Sequence, residues 1–255
     1  MDNERVMQNG SAIVINSLTK KFDDVTAVNG LNLEIRKGEM FGFLGPNGAG
    51  KTTTISMLCG LLTPTSGSAQ IGGFDISREP RKVKELIGVC PQEAAVFKFL
   101  TGMENLELFG DLHGMDSQAL KQRAADLVSH ADFAEAAGRR TKGYSGGMKR
   151  QLNLMIALIS DPEIVFLDEP TVGMDARARR RTWEFIGSLT EQGKTVILTT
   201  HYIEEAQALS DRVGIIDYGE LIALGTPADM MAEHDAVDLE SVFLNITGRR
   251  IAEGS

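Results

Sequence analysis

After a polar start, apolar and polar positions alternate. AIVINSLTKKF (12–22) and then LNLEI, with Leu31, Leu33 and Ile35, read as strands of period two, half-buried. RKGEM reads as a turn. MFGFL (40–44) is then a continuous apolar run, which suits a strand covered on both faces. TTTISMLCGLL (52–62) carries Ile55, Leu58, Leu61 and Leu62 at helical spacing and predicts a helix. In LLTPTSGSAQIGG, proline and glycine punctuate a short hairpin-like return.

Past IGVCPQ the period changes. From about residue 93 to 160 the pattern is mostly helical, with Leu106, Phe109 and Leu112 on one face. Leu120, Ala124, Leu127, Val128 and Ala131 mark a second helix, and Leu152, Ile156 and Ile159 a third. IVFLD, TVILTT and VGIID follow as three apolar runs of strand length separated by helical stretches. Strands alternating with helices predict an α/β fold with a parallel sheet, interrupted by a helical insertion. The segment GPNGAGKTT is not repeated within the chain, and no low-complexity segment is present.

Chemistry enters at GPNGAGKTT (45–53), directly after the apolar run. Gly45, Gly50, Lys51 and Thr52 fit the spacing G-x-x-x-x-G-K-[ST] of a phosphate-binding loop. Glycines let the backbone turn its N–H groups inward, close enough to hold phosphate oxygens. The lysine would reach the terminal phosphates, and the Thr52 hydroxyl would sit on a magnesium ion. A helix N-terminus behind the loop adds partial positive charge and unpaired donors. The stretch is read as a nucleoside triphosphate site.

Three further segments carry candidate chemistry. IVFLDEP (164–170) ends a strand in two acids: Asp168 can hold magnesium directly or through water, and Glu169 can orient or deprotonate a water. TTH (199–201) ends another strand, expected beside the first, so the His201 ring can reach a γ-phosphate. YSGGMKRQL (144–152) is a Ser-Gly-Gly turn opening a helix. Ser145 can serve as an N-cap, and the same geometry is an anion site without a lysine. Such a site makes sense if it faces the nucleotide of a second copy.

Composition narrows the setting. At 255 residues, 42% hydrophobic and 24% charged, the chain can form a sizeable core. A net charge of −9 argues against non-specific nucleic-acid binding over the whole surface. Cys59 and Cys90 have neither disulfide nor metal spacing and read as reduced, buried small hydrophobes. No run approaches the roughly 18 to 20 apolar residues that span a bilayer, and MDNERVMQNG lacks a signal-peptide core. The expected setting is cytoplasmic, with any membrane role supplied by a partner.

Taken in order, GPNGAGKTT, Gln92 in CPQ, YSGGM, IVFLDEP, GMD and TTH resemble the ATPase subunit of an ATP-binding cassette (ABC) transporter, over about residues 12–245. The resemblance implies a P-loop NTPase fold: a parallel-sheet core over 12–92 and 161–235 with an antiparallel β subdomain, a helical signature subdomain over 93–160, and a tail over 236–255. It implies ATP and Mg2+ as cofactors, and two cassettes meeting head to tail around two ATP molecules. One chain would contribute Gly45, Pro46, Asn47, Gly48, Ala49, Gly50, Lys51, Thr52 and Thr53 to each ATP, and the other Ser145, Gly146 and Gly147. Glu169 becomes the general base, His201 the γ-phosphate switch, and Gln92 a magnesium and water ligand beside Thr52 and Asp168. Phe22 falls where the family stacks an aromatic ring on adenine.

One position departs from the family pattern: Met148 stands where the signature commonly has glutamine, and methionine cannot make the amide's side-chain hydrogen bonds. YSGGMKR and the DLESVFLNITG stretch (238–248) resemble ABC-2 type exporters, including those for drug resistance and nodulation factors. The implied partners are a second copy and an integral-membrane permease, with no nucleic acid, and the implied place is the cytoplasmic face of the membrane. A soluble cassette ATPase acting on a ribosome, DNA or an assembly scaffold is the alternative. Such relatives usually carry two cassettes, long coiled coils or zinc insertions, all missing here. A small-molecule kinase would need an acceptor-pocket motif. The basic run with Arg177, Arg179, Arg180 and Arg181 reads as a solvated helix face behind an Asp175 N-cap, with Trp183, Ile186 and Leu189 on the buried side.

Overall fold

The computed structural model describes residues 10–93 and 95–248. The polar start at 1–9 and the end of the tail at 249–255 lie outside the described residues. In chain order the first half runs β1 (Ser11–Phe22), β2 (Val25–Arg36), β3 (Met40–Leu44), α1 (Lys51–Leu58), β4 (Ser66–Ile71), β5 (Phe74–Asp75), α2 (Pro80–Leu86) and β6 (Ile87–Cys90). Four helices follow: α3 (Gly102–Leu112), α4 (Ser117–His130), α5 (Ala134–Ala137) and α6 (Gly146–Leu158). The last part is β7 (Ile164–Asp168), α7 (Ala176–Glu191), β8 (Thr195–Thr200), α8 (Ile203–Leu209), β9 (Arg212–Asp217), β10 (Glu220–Gly225), α9 (Pro227–Glu233) and α10 (Leu239–Thr247).

Two sheets result. An antiparallel one has the order β2-β1-β4-β5, and a six-stranded one the order β10-β9-β3-β8-β7-β6. In the larger sheet β9, β3, β8, β7 and β6 run parallel, and β10 turns back antiparallel at the edge. The continuous apolar runs are the central strands, since layers on both faces leave no side of them wet. The alternation within each run sorts its side chains between those layers. Val165 and Leu167 of β7 pack with Leu106, Leu127, Leu152 and Leu158 of the helical layer. Ile164 and Phe166 pack on the other face with Ile13, Ile15, Leu33 and Ile35 of the antiparallel sheet. Each such side chain, fully buried, stabilises the fold by about 1.5 to 3 kcal/mol of transfer free energy. A third cluster joins Leu44, Val213 and Ile215 to Leu239, Val242 and Phe243, so α10, within the stretch expected as a tail, packs into the body.

Two helical expectations are corrected. Helix α1 stops at Leu58 because Gly60 turns left-handed at φ 69°, which puts Leu61 outside at 68% exposure. Leu112 is 71% exposed rather than on the face of Leu106. The contact stripe of α3 runs through Leu106 and Gly110 instead. A Cβ on Gly110 would lie 2.1 Å from the Leu120 side chain, so the missing side chain is what lets α4 close in.

Candidate active site

The site forms at the carboxyl ends of the parallel strands, where β3, β7 and β8 release their loops. The loop after β3 needs its glycines for steric reasons. At Gly50, φ is 104° and a Cβ would sit 2.4 Å from the Ala27 carbonyl oxygen; at Gly45 it would sit 2.2 Å from the Ile216 carbonyl oxygen. Both neighbours are backbone and cannot swing away. Gly48 also has a left-handed φ, 82°. The Ala49 N–H closes the turn onto the Pro46 carbonyl at 3.2 Å.

Lys51 opens α1 and folds back over the loop. Its ammonium donates to the Gly45 and Pro46 carbonyls at 2.7 and 3.1 Å and lies 3.7 Å from Glu169 Oε1. Burial pushes this lysine below its ordinary pKa, against the pull of Glu169 and Asp168. Thr52 Oγ1 donates to Asp168 Oδ1 at 3.1 Å, and Thr199 Oγ1 donates to the same carboxylate oxygen. Strand β8 lies between β3 and β7, so Asp168 reaches the phosphate loop across an intervening strand; Asp168 and Thr199 are register partners.

Glu169 is held at φ 50°, uncommon for a side chain with a Cβ. Its N–H donates to the Thr199 carbonyl and hydroxyl, both at 3.1 Å, which fixes that conformation. The carboxylate meets His201 Nδ1 at 3.1 Å and Gln92 Nε2 at 3.4 Å. Burial alone would raise the Glu169 carboxyl, but the His201 hydrogen bond and charge, with Lys51 and Arg150, hold it below the ordinary value. His201 is buried, and its Nε2 has no hydrogen-bond partner among the described residues. The strand ending in TTH is thus beside the Asp168 strand, as expected.

One cleft is lined by Ala27, Asn47, Gly48, Gly50, Lys51, Thr52, Thr53, Gln92 and Glu169. Phe22 sits apart at the end of β1; it is 42% exposed rather than packed in the core, with Lys20 Nζ 4.9 Å from its ring centroid. Ser145, Gly146 and Gly147 do not line the cleft. Ser145 caps α6 by accepting from the Met148 N–H at 3.2 Å, and Ser145 and Gly146 are exposed. Nothing lies within 4 Å of where a Cβ on Gly146 would be, so local packing does not demand that glycine. Both cysteines are buried, and burial pushes the Cys90 thiol up to about 12.

Several supporting residues carry no local sequence signal. Thr199 reads as one more β-former in TVILTT. Arg150 reads as a surface charge, yet it is buried and donates to the Pro91 and Gln92 carbonyls. Asn153 donates to the Pro91 carbonyl at 3.1 Å and accepts from the Ala95 N–H at 3.2 Å, which fixes the turn bearing Gln92. The helical spacing of Arg150 and Asn153 with Leu154 was the one usable hint.

The family model described as "ABC transporter" matches residues 28–172. The chain is similar to the linearmycin resistance ATP-binding protein LnrL of Bacillus subtilis, 45% identical over 84% of this chain and 69% of that protein. It is also similar to the daunorubicin resistance ATP-binding protein DrrA3 of Streptomyces coeruleorubidus, 43% identical over 88% of this chain and 71% of that one. A solved dimeric ATP-binding cassette in a post-hydrolysis state, bound to ADP and Pi, superimposes with a TM-score of 0.76 at 26% identity, covering 84% of this chain and 98% of that one. With a phosphate loop, a strand-end Asp-Glu pair and a histidine assembled at one sheet edge, the chain belongs to the ABC transporter family as an ATP-binding, ATP-hydrolysing subunit.

Proposed function

We propose that this subunit drives export: ATP binding closes two copies head to tail, and the closure acts on a separate membrane permease. The observation that carries the hydrolytic step of this reading is the Glu169 carboxylate, set between His201, Gln92 and Lys51 at the rim of the phosphate-loop cleft. An ionised carboxylate in that place can accept a proton from an attacking water. Lys51 faces the terminal phosphates, and the unpartnered Nε2 of buried His201 is free to meet the γ-phosphate.

Thr52 Oγ1 and Asp168 Oδ1, 3.1 Å apart, with the Gln92 amide, form an oxygen-rich set suited to Mg2+. Bound there with ATP, the ion would offset phosphate charge as it develops. Phe22 presents an exposed ring for adenine. The α6 N-terminus, with Ser145 and Gly146 exposed and Gly147 beside them, supplies N–H donors to a second chain's phosphates. Met148 withdraws a side-chain hydrogen bond from that contact but leaves the backbone donors. ATP bridging two chains prefers the closed state, and that preference is what shifts the equilibrium.

No helix among the described residues is long and apolar enough to cross a membrane. In this reading the permease is a separate polypeptide, and the subunit works at the cytoplasmic face of the membrane. Relatives named for resistance to linearmycin and daunorubicin support export, since a transporter subunit confers resistance most directly by removing the compound. The test is a pull-down from native membranes with tagged Glu169→Gln, gently solubilised with ATP. Near-stoichiometric recovery of a polytopic membrane protein is expected. Ribosomal, DNA-repair or scaffold proteins in its place would overturn the transport reading and favour a soluble cassette ATPase.

A further inference from the structure

Glu205 is 1% exposed, sits on α8 four residues after His201, and has no part in the hydrolytic chemistry above. Its Oε1 accepts from the Thr171 hydroxyl at 2.6 Å and from the Trp183 indole N–H at 2.8 Å. Burial pushes this carboxyl above its ordinary pKa, against the hydroxyl, indole and guanidinium groups around it. A carboxyl so deep is a poor stabiliser, because a well-packed apolar side chain of similar size usually does as well or better. Its partners point to another use.

Thr171 lies two residues after Glu169, in a turn that closes through Val172 N–H to the Glu169 carbonyl at 3.4 Å and Met174 N–H to the Thr171 carbonyl at 3.1 Å. Glu169 itself is held at φ 50°, which a residue with a Cβ keeps only when its surroundings fix it. On the other side, α8 begins straight after His201 and Tyr202, with the Ala206 N–H on the Tyr202 carbonyl at 3.2 Å. Trp183 comes from α7, the helix that follows the turn. One carboxylate oxygen therefore joins the turn after the base, the helix after its histidine partner, and a third element that braces both.

We propose that Glu205 is a positioning residue for ATP hydrolysis: through Thr171 it keeps the Glu169 carboxylate in register with His201, and through Trp183 it braces that register on α7. The role rests on Glu169 and His201 being the hydrolytic pair. A carboxylate that must line up a water tolerates little displacement, since errors of about 1 Å cost on the order of a hundredfold in rate.

Steady-state ATPase measurements on the full chain test this, with turnover and KM determined separately. Thr171→Val removes the hydroxyl and keeps nearly the same shape; kcat should fall about tenfold or more while KM for ATP stays within about twofold. Glu205→Ala should lose at least as much, and Glu205→Gln, which keeps an acceptor oxygen, should recover most of the loss. Trp183 is the single tryptophan, so unshifted emission in Thr171→Val reports that the surrounding packing is intact. Wild-type kcat in a folded Thr171→Val would overturn the role, as would a Glu205→Gln that recovers stability but not turnover. If Glu205→Ala does not fold, Thr171→Val decides alone. Glu169→Gln in parallel separates the two levels: full activity in that variant strikes the base itself, whereas its loss together with an active Thr171→Val strikes Glu205 only.

Discussion

Replacing Lys51 with methionine removes one ammonium and keeps most of the stem, so packing and charge separate cleanly. The ammonium donates to the Gly45 and Pro46 carbonyls at 2.7 and 3.1 Å and faces Glu169 at 3.7 Å. It is only 4% exposed, so its bonds to phosphate would form in a site largely shielded from water. A hydrogen bond to a charged partner contributes a net of about 1.5 to 3 kcal/mol. At about 1.4 kcal/mol per factor of ten, losing one such contact to a terminal phosphate weakens ATP binding by roughly 10- to 140-fold. ADP, which lacks the γ-phosphate, should lose less. Titration calorimetry of wild type and Lys51→Met with ATP and ADP measures both. An ATP affinity within about threefold of wild type would refute the placement of Lys51 at the terminal phosphates.

Two further outcomes follow from the same geometry. Gly146→Asp adds a carboxylate at the first turn of α6, where the helix dipole favours an acid and nothing lies within 4 Å of the new Cβ. The monomer should stay as stable and bind ATP as before, yet the charge would repel a second chain's phosphates; ATPase activity should fall at least about tenfold by coupled-enzyme assay. The second concerns pH. The folded Glu169 carboxyl lies below its ordinary value of 4.5, so its contribution is complete above that pH and is lost as pH falls through the depressed value. Thermal melts of Glu169→Gln should therefore show a shallower loss of stability below about pH 4.5 than wild type.

The parts of this molecule that were legible from sequence are those written in local periods. Period-two alternation gave β1 and β2, continuous apolar runs gave β3, β7 and β8, and Gly-Lys-Thr spacing placed the phosphate loop. The errors fell where a glycine ends a helix early and where positions six apart were read as one face. Gly60 ends α1 before Leu61, and Leu112, six residues on from Leu106, lies about 120° round the helix from it and faces out. In the site, Lys51 and Thr52 could be named from the loop spacing, and Asp168, Glu169 and His201 because acids and a histidine are unusual at the end of an apolar strand. Thr199, Arg150, Asn153 and Glu205 could not, because each acts through a partner 30 or more residues away. Ala27 lines the cleft only because the antiparallel sheet brings β2 against the loop, a contact no local pattern records.

The central claim is that ATP is shared between two copies, each lending its Ser145 helix end to the other's phosphate loop. Light scattering on the size-exclusion peak of Glu169→Gln, with and without ATP, tests it most directly. A monomer is expected without nucleotide, a dimer with ATP, and a return to monomer when Gly146→Asp is added to the same chain. A Glu169→Gln chain that binds ATP tightly and stays monomeric at every protein concentration would contradict it.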